Sequence, residues 1–114
     1  MVNVYFISRH SPTPEQCELL AQHGRQIIAC GDLDGFDMDA IQAWRRTHPG
    51  SIEVAVVNAA LALSLAATAH EGGMRIWVFE NAQRPIEGGK PQFYAKSVQS
   101  WTVRNDSAYG INKD

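Results

Sequence analysis

Four consecutive residues, Ser8, Arg9, His10 and Ser11, carry the densest chemistry in this chain. An arginine guanidinium is a planar fork of N–H donors that matches two phosphate oxygens at once. The adjoining imidazole can donate, accept or titrate near neutral pH, and the flanking hydroxyls can donate or accept hydrogen bonds. Those residue types in one short loop describe an anion site, with phosphate the best match. A plainer role suits the same residues: Ser8 and Ser11 as turn caps, Arg9 paired with an acidic neighbour and His10 on the surface.

The loop lies between two strong local signals. Val2 to Ile7 is β-branched and aromatic and reads as a strand. Thr13 then supplies an N-cap, Pro14 occupies the first helical position, and Gln16 completes a capping box. A helix start next to the loop would add free N–H groups and the positive end of the helix dipole.

The remaining histidines contrast with His10. His23, His48 and His70 each fall in the last turn of an expected helix, just before Gly24, Pro49 and Gly72, where an imidazole faces the last carbonyls. No histidine pair, and no histidine with a carboxylate, has metal-ligand spacing, so no metal is expected. The acidic stretch with Asp32, Asp34, Asp37 and Asp39 lacks the glutamate of a calcium loop and reads as a solvated turn and helix cap. Neither GxGxxG nor GxxxxGK[ST] occurs, so no dinucleotide, P-loop nucleotide or other cofactor is expected. Cys17 and Cys30 have no CxxC spacing and read as reduced, partly buried thiols. The aromatic residues fall mostly at core spacing.

The elements that must position the loop follow from the rest of the chain. Arg25–Cys30 reads as a second strand, the stretch after Asp37 as a second helix stopped by Pro49 and Gly50, and Ser51–Val57 as a third, doubly covered strand. Asn58 ends that strand, and the alanine- and leucine-rich segment from Ala59 reads as a helix closing at Gly72 and Gly73. Met74–Glu80 is a fourth strand, residues 81–91 are turn-like, and Gln92–Val103 is a longer strand. Strict strand–helix alternation followed by a hairpin predicts a three-layer, Rossmann-like α/β domain with a mainly parallel sheet and a C-terminal β-hairpin. It occupies residues 1–104, and residues 105–114 are expected to form a frayed tail. In such sheets ligands collect at the carboxyl ends of the strands, at the switch point. That places Ser8–Ser11 beside Asn58, with the cations Arg84, Lys90 and Lys96 on or near the hairpin.

Of the 114 residues, 45% are hydrophobic and 19% charged, the composition of an ordinary globular domain. A formal net charge of −2 gives no surface field for long nucleic acid or anionic membrane. Neither a leader segment nor an apolar run of membrane-spanning length is visible, so a cytoplasmic location is expected.

The first strand ending in "SRH", the helix opened by "TPEQ", the apolar third strand leading into a small-residue helix, and the hairpin ending "SWTVRN" together resemble the small standalone CRISPR-associated ring nucleases, which are CARF-like proteins. The likeness runs from about Val2 to Arg104. It implies a chain that binds, and usually cleaves, a cyclic oligoadenylate second messenger, damping a type III CRISPR antiviral response. The implied chemistry is attack of a ribose 2′-hydroxyl on its adjacent phosphate, without a metal or cofactor. Arg9 would clamp the scissile phosphate, and His10 would protonate the leaving 5′-oxygen or orient the attacking hydroxyl. Ser8, Ser11 and Asn58 would hydrogen-bond phosphate or ribose, with Lys96 or Arg84 closing from above. Where some relatives turn through a glycine-containing phosphate loop, this chain has "VVNAALA", a departure that bears on cleavage more than on binding.

Three other functions compete. A non-catalytic sensor or sponge for the same messenger would use the same residues. A histidine phosphatase also carries arginine and histidine after its first strand, but Ser11 replaces the expected glycine and no late catalytic histidine follows His70. A structural partner subunit would use the small-residue helix as a packing face. A ring of repeated phosphates outsizes one such loop, so a two-fold homodimer with the ligand on its axis is expected, its contact formed by the helix from Ala59 or the edge near Trp101.

Overall fold

The computed structural model describes residues 1–69, 72–105 and 111–113. The elements are β1 (Val2–Ile7), α1 (Pro14–Gln22), β2 (Arg25–Gly31), α2 (Met38–Arg46), β3 (Ile52–Val56), α3 (Ala59–Ala66), β4 (Met74–Arg84), β5 (Gln92–Asn105) and β6 (Ile111–Lys113). One six-stranded sheet has the order β2-β1-β3-β4-β5-β6. The first four strands in that order run parallel, and β5 and β6 are antiparallel additions. The α/β class and mainly parallel sheet agree with the sequence expectation.

Each helix starts where a polar side chain can take up a first-turn N–H. Thr13 and Gln16 form the reciprocal capping box of α1. The Asp37 carboxylate caps α2 through the Ala40 N–H, and the Asn58 carboxamide caps α3 through the Leu61 N–H. The β-strand alternation then divides the core in two. Val4, Phe6, Ala55, Trp77 and Phe79 pack with Leu20 of α1 on one face. Ile7, Val54, Val56, Met74 and Ile76 pack with Ile41 of α2 and Leu61 and Leu65 of α3 on the other. Helices therefore cover both faces, and β3 is buried on both sides as its apolar run implied.

Three boundaries differ from the expected ones. Helix α3 stops at Ala66 instead of running to Gly72, because the buried Thr68 hydroxyl closes on the Leu65 carbonyl at 2.6 Å. His70, expected to cap this helix, lies outside the described residues. Strand β4 continues through Asn81–Arg84, which were expected to lie in the turn, because these residues pair with Gln92–Ala95. Backbone pairing requires no apolar side chain, so a solvated hairpin leaves no hydrophobic period to read. The pairing is offset at Glu80/Asn81, so that Lys96 lies between the partners Ala95 and Ser97 as a bulge. Strand β5 reaches Asn105, and Ile111–Lys113 pairs with its end, within the segment expected to be a tail.

Arg45 fixes the amino-terminal edge of the sheet. It is fully buried and donates to the carbonyls of His48, Gly50 and Gly72, the last two at 2.7 and 3.0 Å. Gly72 sits at φ +136°, where a Cβ would meet the Gly50 carbonyl oxygen at 2.5 Å.

Candidate functional site

Strand β1 leads to α1 on one face of the sheet, whereas the adjacent β3 leads to α3 on the other. The carboxyl ends of β1 and β3 therefore form the switch point, and the first polar residues after each strand are Ser8 and Asn58. A cleft of about 550 Å³ opens there, lined by Ser8, Arg9, His10, Asp32, Asp34 and Asn58 among others. The tertiary structure thus brings together Ser8, Arg9, His10 and Asn58. Ser11 does not line this cleft; it borders a smaller depression with Ser8 and His10, and another hollow with Arg9 and Asp32.

The loop is built by local hydrogen bonds. Ser8 N–H donates to the Gly31 carbonyl at 2.8 Å, which extends the β1–β2 pairing past Ile7. The Ser8 hydroxyl accepts from the His10 N–H at 3.1 Å, closing a tight turn around exposed Arg9. Asn58 has two roles to share: its Oδ1 accepts from the Leu61 N–H at 3.1 Å, which leaves the Nδ2 donors to offer a ligand. The N-terminus of α1 contributes less than expected, because the capping box already engages the N–H groups of Thr13 and Gln16. An anion placed here would meet mainly Arg9, His10 and hydroxyl or amide side chains.

The acidic turn is the feature that sequence reasoning undervalued. Asp37 is the helix cap, and Asp34 accepts the Phe36 N–H at 2.9 Å, as a turn residue would. Asp32 and Asp34, however, line the same cleft as Arg9 and His10. The pairing of β2 beside β1 carries them there, since Gly31 lies opposite Ile7. Two carboxylates against one guanidinium keep the cleft from being a simple cationic bowl, and they oppose a bound phosphate electrostatically. Gly35 holds this turn against α3: a Cβ there would meet the Leu61 backbone nitrogen at 2.8 Å, and its carbonyl accepts the Ser64 hydroxyl.

Arg84 and Lys96 do not line this cleft. Arg84 lies over the Tyr94 ring at 4.4 Å, and Lys96 pairs with Glu80 at 3.9 Å, so each is engaged along the hairpin. Of the other histidines, His48 meets a carbonyl of the last turn of its helix as expected, whereas the His23 ring packs on an indole. His48 stacks on Trp44 at 4.2 Å and its Nδ1 bonds the Trp44 carbonyl at 2.8 Å, while the His23 ring packs against Trp77 at 5.1 Å. Both cysteines are free and exposed, against the expectation of partial burial, because β2 is an edge strand and Cys17 lies on the outer surface of α1. Among the described residues, no group of three or more His, Cys, Asp or Glu side chains is placed to hold a metal ion, and no helix is long and apolar enough to cross a membrane.

No protein-family model, curated protein or solved structure matches this chain.

Proposed function

We propose that this chain binds a cyclic oligoadenylate and opens its ring by attack of a ribose 2′-hydroxyl on the adjacent phosphate. The observation that carries the reading is the meeting of Ser8, Arg9 and His10 with Asn58 at the switch point of a mainly parallel sheet. Such a reaction needs alignment of a tethered nucleophile and stabilisation of charge on the phosphoryl oxygens. Arg9 supplies the charge stabilisation, and the Ser8 hydroxyl and Asn58 amide orient the phosphate or ribose. The 2′-hydroxyl gives its proton to solvent water and its oxygen forms a bond to phosphorus as the bond to the 5′-oxygen breaks, giving a 2′,3′-cyclic phosphate and a free 5′-hydroxyl. His10 delivers the proton to the departing 5′-oxygen.

The acting unit in this reading is a two-fold pair. The two surfaces considered from the sequence are one surface: Ala59, Ala62, Leu63 and Ala66 of α3 and Trp101 of β5 line a single apolar groove with Ile76 and Val78. Leu63, part of the groove's own lining, stands 73% exposed, an apolar surface that a second copy of the chain would cover.

The deciding experiment incubates purified protein, with a chelator present, with cyclic oligoadenylates of several ring sizes and reads products and bound ligand by mass spectrometry. Linear products ending in 2′,3′-cyclic phosphate support the reading. Tight binding without products favours the sequestering role, and neither binding nor products rejects both.

A further inference from the structure

On the opposite side of the Ser8–Ser11 loop from the main cleft lies a depression of about 250 Å³, walled by the projecting β4–β5 hairpin. Its lining includes Ser8, His10 and Ser11 from the loop, Asn81 and Ala95 from the hairpin, and Phe93. The register explains the arrangement. Asn81 pairs with Ala95, and Phe93 is two residues from Ala95, so all three occupy the same face of the hairpin as α1. Ala95 is buried against the core, whereas Phe93, one step further out, remains 68% exposed. A large aromatic ring is thus held on a paired strand, over a hollow, with most of its surface uncovered. Because β4 continues beyond its pairing with β3, which ends at Val56↔Val78, the hairpin stands next to the loop and not over the sheet.

From this geometry we infer that the depression is a nucleobase subsite, in which Phe93 stacks on the base and the Asn81 carboxamide faces its edge. The inference rests on the reading of Ser8–His10 as a phosphate site and specifies where the attached nucleoside goes. The depression is smaller than the roughly 300–1,000 Å³ of sites for drug-sized molecules, which suits a single nucleobase and not a whole nucleotide. An exposed aromatic face is the general device for holding a base, and a side-chain amide offers the donor and acceptor pair that base edges present. Ser8 and His10 border both hollows, so a nucleotide whose phosphate lies at Arg9 can reach this side of the loop with its base.

The test compares adenosine 5′-monophosphate with ribose 5-phosphate, which carries the same phosphate and sugar without a base. Titrations use the full chain, the Phe93→Ala and Phe93→Trp variants, and Arg9→Ala. The expected result is about a tenfold preference of the full chain for the nucleotide, lost in Phe93→Ala and restored in Phe93→Trp. Arg9→Ala should weaken both probes alike. Equal affinity for the two probes, no binding of either, or a preference that survives Phe93→Ala overturns the subsite. If the base preference appears as expected but no cyclic oligoadenylate is bound or cleaved, the subsite stands and the ring-opening reading fails.

Discussion

The Ser8 hydroxyl accepts the backbone N–H of His10 at 3.1 Å, so the residue that begins the loop also sets the position of its imidazole-bearing neighbour. His10 is the proposed acid, and its effect belongs to the transition state. His10→Ala should reduce the single-turnover rate of ring opening by roughly 10²–10⁴-fold while changing the Kd of the cyclic ligand by less than about threefold. A rate equal to that of the parent removes His10 from the mechanism.

Arg9 is exposed and, among the described residues, its side chain makes no hydrogen bond or ion pair. Arg9→Ala should therefore leave thermal unfolding unchanged within about 0.5 kcal/mol. Loss of one charge-assisted phosphate contact should weaken binding of the cyclic ligand roughly ten- to a hundredfold. Calorimetry on parent and variant gives both numbers, and indistinguishable affinities reject the assignment.

Asp32 acts in the opposite sense, because it faces the same cleft with negative charge. Asp32→Asn should tighten ligand binding by about 1 kcal/mol, close to fivefold, at low ionic strength. Salt screens such an interaction, so the gain should shrink as ionic strength rises toward 0.5 M. Weaker binding in the variant would show that the Asp32 carboxylate contacts the ligand instead of opposing it.

Arg45 has no part in the site but organises the opposite end of the sheet. Replacing it with Met would strand carbonyls of His48, Gly50 and Gly72 that its guanidinium now serves. The cost should reach about 3 kcal/mol, and the Tm should fall by more than about 10 °C. Thermal unfolding measures this directly, and a shift of only one or two degrees would contradict the role.

A two-fold pair makes the last prediction. Sedimentation of the free protein at micromolar concentration should give a mass near twice 12.6 kDa, and titration should saturate at one cyclic ligand per two chains. Leu63→Glu places a charge in the proposed contact and should return the mass to that of one chain, since Leu63 is 73% exposed in the isolated subunit and its replacement leaves the fold intact. A parent that sediments as a monomer and binds one ring per chain refutes the arrangement.

Sequence alone determined the features that are local or periodic. The capping box at Thr13 and Gln16, the Asp37 cap, the alternation of strands with helices and the doubly buried β3 all follow from neighbouring residues and their spacing. The Ser8–Ser11 loop was legible for the same reason, since its chemistry lies in consecutive positions. Tertiary structure decided what joins that loop. Strand pairing of β2 on β1 brings Asp32 and Asp34 to Arg9, although more than 20 residues separate them in the chain, and no local pattern distinguishes these acids from solvated ones. Pairing also extends β4 through Asn81–Arg84, because backbone hydrogen bonds form whether or not side chains alternate in polarity. The resulting hairpin engages Arg84 with Tyr94 and Lys96 with Glu80, and it exposes Phe93 beside His10. A side chain's partners depend on which strands become neighbours, and that is a property of the folded sheet and not of the adjacent sequence.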